Sequence, residues 1–157
     1  MGQQGKHLNS IKVSHEKHTA GCATEIMAIP ETVCISMSQH IGAPCKPLVK
    51  KGDQVKVGQL IGDTDAFVSA PIHSSVSGTV KEISTIRSVT GGDDQVVIIE
   101  TDGNQDVYEE IKPPVINDMK DFIAAVRASG LVGLGGASFP THIKLNPKNL
   151  EEVDTLI

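Results

Sequence analysis

The chain has no tryptophan, one tyrosine and three phenylalanines in 157 residues. Its apolar packing must come from Val, Ile and Leu, which suits small β-sandwiches better than a large aromatic core. Also missing is any apolar run near the roughly 20 residues that a membrane-spanning helix needs, so membrane association would go through partners. Positive charge is short, 14 Lys and Arg against 19 Asp and Glu for a net charge of −5. That balance draws the chain neither to nucleic acid nor to anionic lipid. Met1 to Lys6 lack both a signal-peptide apolar region and the Ser or Thr of a myristoylation motif, so a cytosolic chain is expected. Cysteine is scarce: Cys22, Cys34 and Cys45 lie eleven or twelve positions apart, matching neither a CxxC metal knuckle nor a disulfide framework. They read as reduced thiols, the sharper alternative being His15, His18 and Cys22 as transition-metal ligands with loose spacing. No acid–base dyad or nucleophile triad is visible.

What is present centres on residues 49–80. Short apolar runs (Val55 and Val57; Leu60 and Ile61; Phe67 and Val68; Val76, Thr79 and Val80) alternate with turn formers at Gly52-Asp53, Gly58, Gly62-Asp63 and Ser77-Gly78. Closely spaced short strands give that pattern, and strands this short are stable only when two sheets fold against each other. Ala43-Pro44 recurs as Ala70-Pro71, with Val49 and Val76 at the same spacing, a weak hint of pseudo-twofold symmetry.

Taken in order, residues 1–32 form a polar, His-rich leader expected to be partly disordered. Alternation at Val33 to Met37 predicts a first strand. His40, beside Gly42 and Pro44, reads as a turn histidine bonding the backbone, with proton handling as the alternative. A hairpin tip is expected in 87–94, and Val96 to Glu100 as a closing strand buried on both faces. The β unit thus spans 33–102, a linker 103–116 with Pro113-Pro114 follows, and residues 117–157 form another unit. There Asn117 as N-cap, Met119, Phe122, Ile123 and Val126 at helical spacing, Arg127 in the last turn and Gly130 as C′ glycine predict a helix over 117–129. Its apolar stripe is expected to pack into a core. Gly133, Gly135 and Gly136 then suggest amides turned toward one point, with Pro140 opening a short helix and Lys144 one turn on, a cradle for an anion. Without a preceding strand, dinucleotide-fingerprint logic does not apply, and mere connection is an equal reading. Val153 to Ile157 reads as a strand cut off in mid-course.

Residues 51–61 (KGDQVKVGQLI) and 70–83 (APIHSSVSGTVKEI) resemble the barrel-sandwich hybrid of biotinyl and lipoyl carriers. The hairpin that bears the attachment lysine in those carriers here reads Asp63 to Phe67, without lysine, which argues against a swinging-arm carrier. Residues 133–145 (GLGGASFPTHIKL), with 38–44 (SQHIGAP) and 69–78 (SAPIHSSVSG), resemble the flavin loop of the NADH-binding flavoprotein of respiratory complex I, and still more the C subunit of the Rnf ion-translocating electron-transport complex.

That resemblance implies a mainly β chain with a small α part: a lysine-less barrel-sandwich hybrid, then the start of an α/β flavin- and NADH-binding domain. It implies FMN and NADH at Gly133, Gly135, Gly136, Phe139 and Lys144, with no catalytic side chain. Ser138 departs from the glycine more usual in such loops. It further implies 4Fe-4S clusters on cysteines beyond residue 157, partner subunits of a membrane redox complex, and a place on the inner face of the plasma membrane. The alternatives are a non-catalytic docking domain, the A subunit of sodium-translocating NADH:quinone reductase, and a cobalamin reductase, whose flavin loop comes before its sandwich.

Overall fold

The computed structural model describes residues 14–88, 91–149 and 152–155. Among these described residues, seven strands form two antiparallel sheets. One sheet runs β1 (Thr32–Ser36), β7 (Asp93–Thr101), β6 (Gly78–Arg87), β3 (Gln54–Val55); the other runs β2 (Lys46–Pro47), β4 (Leu60–Asp63), β5 (Ile72–His73). The long β6–β7 ladder carries the fold, and its register shifts between Val80 and Glu82. Such a shift bends and twists the strand, so that a sheet can curl over its own core.

The two inner faces close on Ile35, Met37, Val55, Ile61, Ile72, Val76, Val80, Val97 and Ile99, all buried. Each such side chain contributes roughly 1.5–3 kcal/mol by leaving water. Val96, Val97 and Ile99 are buried while Ile98 is half-buried, so the expected double-sided burial of β7 holds for most of the run. Gly78 is required by close approach: a Cβ there would run into the Glu100 carbonyl across the ladder. Ser77 ties the ladder's far end, its hydroxyl donating to Asp102 Oδ1 at 2.6 Å and accepting from the Asp106 amide at 3.0 Å.

A mainly β chain with a curled, two-layer arrangement is therefore observed, consistent with a barrel-sandwich hybrid. Four local expectations need correction. Phe67 is not part of a strand; it is 81% exposed, because β4 ends at Asp63 and ladder pairing resumes only at Ile72 in β5. The helix is α1 (Met119–Ala128), capped by Asp118, whose carboxylate accepts from the Asp121 amide; Asn117 instead donates to the Asp121 carboxylate. The apolar stripe of α1 has no buried residue at all. Residues 153–155 form no strand, and residues 156–157 lie outside the described residues, as do the leader's residues 1–13.

Candidate functional site

After α1 the chain turns at Gly130, which has φ +71, and a Cβ there would meet the Pro71 carbonyl of the sandwich. Thr141 N donates to Leu131 O at 3.0 Å and Gly133 N to Phe139 O at 3.0 Å, while Val132 bridges Pro140. These bonds pinch 131–141 into a narrow loop with an open tip, where Leu134 is 93% exposed. The Ile41 amide donates to the Ala137 carbonyl at 3.2 Å, fixing the loop to the sandwich. Pro140 is buried and stands at the N-cap of α2 (Thr141–Lys144) rather than at its first helical position, because its ψ of 125° is extended.

This folding brings Gly133, Phe139 and Lys144 together. The Lys144 ammonium lies 6.0 Å from the centre of the Phe139 ring, and a Cβ added to Gly133 would come within 2.5 Å of its nitrogen. Gly135 and Gly136 lie farther out, with open space where a Cβ would be. The Gly133 amide is occupied by Phe139, so the donors left over are those of Gly135 and Gly136, without partners among the described residues. The loop's left-handed residue is Ser138, at φ +51, the conformation that glycine adopts without strain.

Sequence spacing gave no sign of Arg127 as a long-range partner. Its guanidinium takes the Asp63 carboxylate with both nitrogens, at 2.9 and 3.3 Å, and donates to the Thr64 carbonyl at 3.0 Å. Burial pushes the Asp63 carboxyl up, but Arg127 and the Thr64 amide outweigh it and hold it below its ordinary value. The turn that follows β4 is thus engaged by α1.

Three histidines flank these contacts. His40 is buried, its Nε2 accepting from the Ala70 amide at 3.1 Å and its Nδ1 lying 3.1 Å from the Ile41 carbonyl. Both bonds are made only by a neutral ring with the proton on Nδ1. His40 is therefore a backbone-bonding turn histidine, as its turn setting suggested. Cys45 donates its thiol to the Ala70 carbonyl at 3.2 Å, and burial raises its pKa. Burial lowers the pKa of His73 and of His142; Arg127 lowers His142 further. His142 Nδ1 is buried without a hydrogen-bond partner.

His15, His18 and Cys22 are exposed, and among the described residues no three His, Cys, Asp or Glu side chains gather closely enough to hold a metal ion. Among the same residues no helix is long and apolar enough to cross a membrane.

Three curated relatives are similar to most of this chain. The C subunit of a proton-translocating ferredoxin:NAD(+) oxidoreductase complex from Clostridium ljungdahlii is 44% identical over 146 residues, 90% of this chain and 32% of the relative. The C subunit of a Na(+)-translocating ferredoxin:NAD(+) oxidoreductase complex from Acetobacterium woodii is 47% identical over 131 residues, 82% of this chain and 30% of the relative. The C subunit of an ion-translocating oxidoreductase complex from Rhodobacter capsulatus is 34% identical over 149 residues, 92% and 28%. The chain spans about a third of the length of these relatives. The profile of the RnfC barrel sandwich hybrid domain matches residues 6–104, which contain both sheets, and the chain belongs to that family.

Proposed function

We propose that this chain works as the sandwich-bearing portion of an electron-transfer subunit in a membrane-bound, ion-translocating complex that exchanges electrons between NADH and ferredoxin. In this reading the 131–144 loop holds FMN and admits NADH, and the electrons pass to 4Fe-4S clusters on parts of the polypeptide beyond residue 157. Other subunits of the complex hold the protein at the inner face of the membrane.

The observation that supports the cofactor reading is the placement of Lys144 over Gly133 and near the Phe139 ring. An ammonium with no ion-pair partner among the described residues, on the same short loop as the glycine amides of 135 and 136, is a donor type suited to a phosphate. Gly133 without a side chain leaves the space that the ammonium uses, and the Phe139 ring offers a flat apolar face beside it. These residues fit an anionic flavin nucleotide. Bound there, FMN would supply hydride acceptance and single-electron release. The chain's own contribution is to neutralise phosphate charge with Lys144 and to orient the ring against Phe139. Residues 131–141, fastened to the sandwich through Ile41 and Ala137, hold the site in place.

The test is titration of FMN into the chain, followed by fluorescence quenching. Wild type is expected to quench, and Lys144→Ala to weaken binding at least tenfold, roughly the loss of one charge-assisted contact. Equal affinity of the two proteins would overturn the cofactor reading.

A further inference from the structure

Among the described residues, the bond from the Ile41 amide to the Ala137 carbonyl is the one backbone hydrogen bond that joins residues 131–149 to residues 14–116. Its donor belongs to a turn that is itself pinned to the sandwich. The Ala43 amide donates to the Val68 carbonyl at 3.2 Å, and Gly42, at φ +113, passes so close that a Cβ there would run into the same carbonyl. The His40 ring stands between these ties and the loop. Its Nε2 accepts from the Ala70 amide at 3.1 Å, and its Nδ1–H donates to the carbonyl of Ile41 at 3.1 Å. The ring is buried and shares with Ala70, Pro71, His73, Gly130 and Val132 the lining of a cavity of about 140 Å³ at the base of the loop. A flat ring with a donor on one edge and an acceptor on the other acts as a rigid strut, and its buried partners cannot turn to water instead.

We propose that His40 is a positioning residue for the cofactor loop: acting through Ile41, it sets where residues 133–139 stand against the sandwich. The loop is stiffened from within by the Gly133–Phe139 and Thr141–Leu131 bonds and by the bridge between Val132 and Pro140. A stiff piece takes a definite orientation when it is held at two points. One point is Gly130, seated against the Pro71 carbonyl; the other is Ala137, held by the Ile41 amide. His40 braces the second, because it ties Ile41 to Ala70 in the sandwich. Without the ring, the loop keeps its own bonds but is free to swing about Gly130, carrying Gly133 and Phe139 with it. The inference takes its functional meaning from the reading of this loop as the flavin site, while the placement of the loop is measured without flavin.

Amide hydrogen exchange followed by NMR on this chain, with FMN titration of the same samples, tests it. In His40→Ala the Ile41 amide should exchange roughly tenfold faster, while the Gly133 and Thr141 amides, bonded inside the loop, stay within about threefold of wild type. FMN affinity should fall roughly tenfold. His40→Gln, which carries an acceptor about as far out as Nε2, should recover most of both losses. Val76→Ala, a substitution in the buried core of the sandwich away from this path, should lower the thermal midpoint and leave Ile41 exchange within about threefold of wild type. If His40→Ala does not fold, His40→Asn, whose side chain ends short of the Ala70 amide, is read in its place with the same expectations. Unchanged Ile41 exchange, or equal acceleration in Val76→Ala, would overturn the proposal. Faster exchange at Gly133 and Thr141 along with Ile41 would also overturn it, since the loop would then be unfolding rather than moving, and so would faster Ile41 exchange with FMN affinity unchanged. A wild type that takes up no FMN strikes the cofactor reading alone, and the exchange rates then decide whether His40 places the loop.

Discussion

Arg127 and Asp63 stand 64 positions apart in sequence and form a two-pronged ion pair, Nη2 to Oδ1 at 2.9 Å and Nη1 to Oδ2 at 3.3 Å. The pair is about one-third exposed, and a planar fork on a carboxylate holds orientation as well as charge. It joins α1 to the turn that follows β4. Removing either side should therefore loosen one unit from the other.

Arg127→Ala and Asp63→Asn are each expected to cost about 1–2 kcal/mol, a value reduced for partial solvent screening. The double variant should cost less than the sum, because one interaction is being removed twice. Urea midpoints of the four proteins measure the coupling, and Arg127→Lys should fail to restore it, since an ammonium cannot make the same two parallel bonds. Strict additivity would show that the pair does not couple the units.

Gly133→Ala offers a cleaner probe of the loop than removal of Lys144. The new methyl would meet the end of a flexible side chain rather than backbone, so the fold should tolerate it while the ammonium is displaced. FMN affinity should fall several-fold with the thermal midpoint nearly unchanged. A large drop in the midpoint would mean that Gly133 serves packing instead.

Glycines in the sandwich should behave differently from those at the loop tip. Gly78→Ala forces a Cβ into the Glu100 carbonyl and should cost about 1–3 kcal/mol or more, as overpacking does. Gly135→Ala enters open space and should cost a few tenths at most. Matched denaturation curves for the two variants check the contrast.

Stability should fall on acidification. Asp63 is held below its ordinary value, so its contribution is present at neutral pH and is lost as pH falls through that lowered value. His73 and His142 are also lowered, chiefly by burial. The unfolded chain thus binds protons first as pH drops below about 6.5, which weakens the folded state in the same direction. Urea midpoints between pH 8 and pH 4 should decline, and His73→Gln should flatten the part of the curve just below neutrality. A profile unaltered by that substitution would remove His73 from the account.

His40→Ala should destabilise the 38–45 turn by about 1–3 kcal/mol, because the buried Ala70 amide loses its acceptor. The buried Cys45 thiol, 3.6 Å from His40 Nε2, should then react faster with a small maleimide. Unchanged labelling would mean that other contacts close the turn.

Sequence reading reached as far as local signals extend. Turn glycines spaced between short β-branched runs announced the two-layer β unit, and helical spacing with Gly130 announced α1 within two residues at each end. Contacts between distant residues leave no such periodic mark. The Arg127–Asp63 fork was invisible because Arg127 also explains itself as a cation in a last helical turn. The stripe of α1 looked like core because apolar spacing reports which face is sticky, not whether anything lies against it. At the loop, glycine spacing located an open segment but could not foretell that the Gly133 amide would be spent on Phe139, or that Ser138 would be the residue at positive φ. His142 carried no sequence signal, since an orphaned ring nitrogen is a property of its surroundings.

The turn after β4, Asp63 to Phe67, is the one that sequence resemblance sets beside the lysine-bearing hairpin of carriers. Here that turn is gripped by a helix, and the neighbouring loop is stitched to the sandwich through Ile41 and Ala137. The 133–144 segment is thereby anchored to the β scaffold at one point and α1 at another, so this part of the chain is built for constancy of position instead of reach.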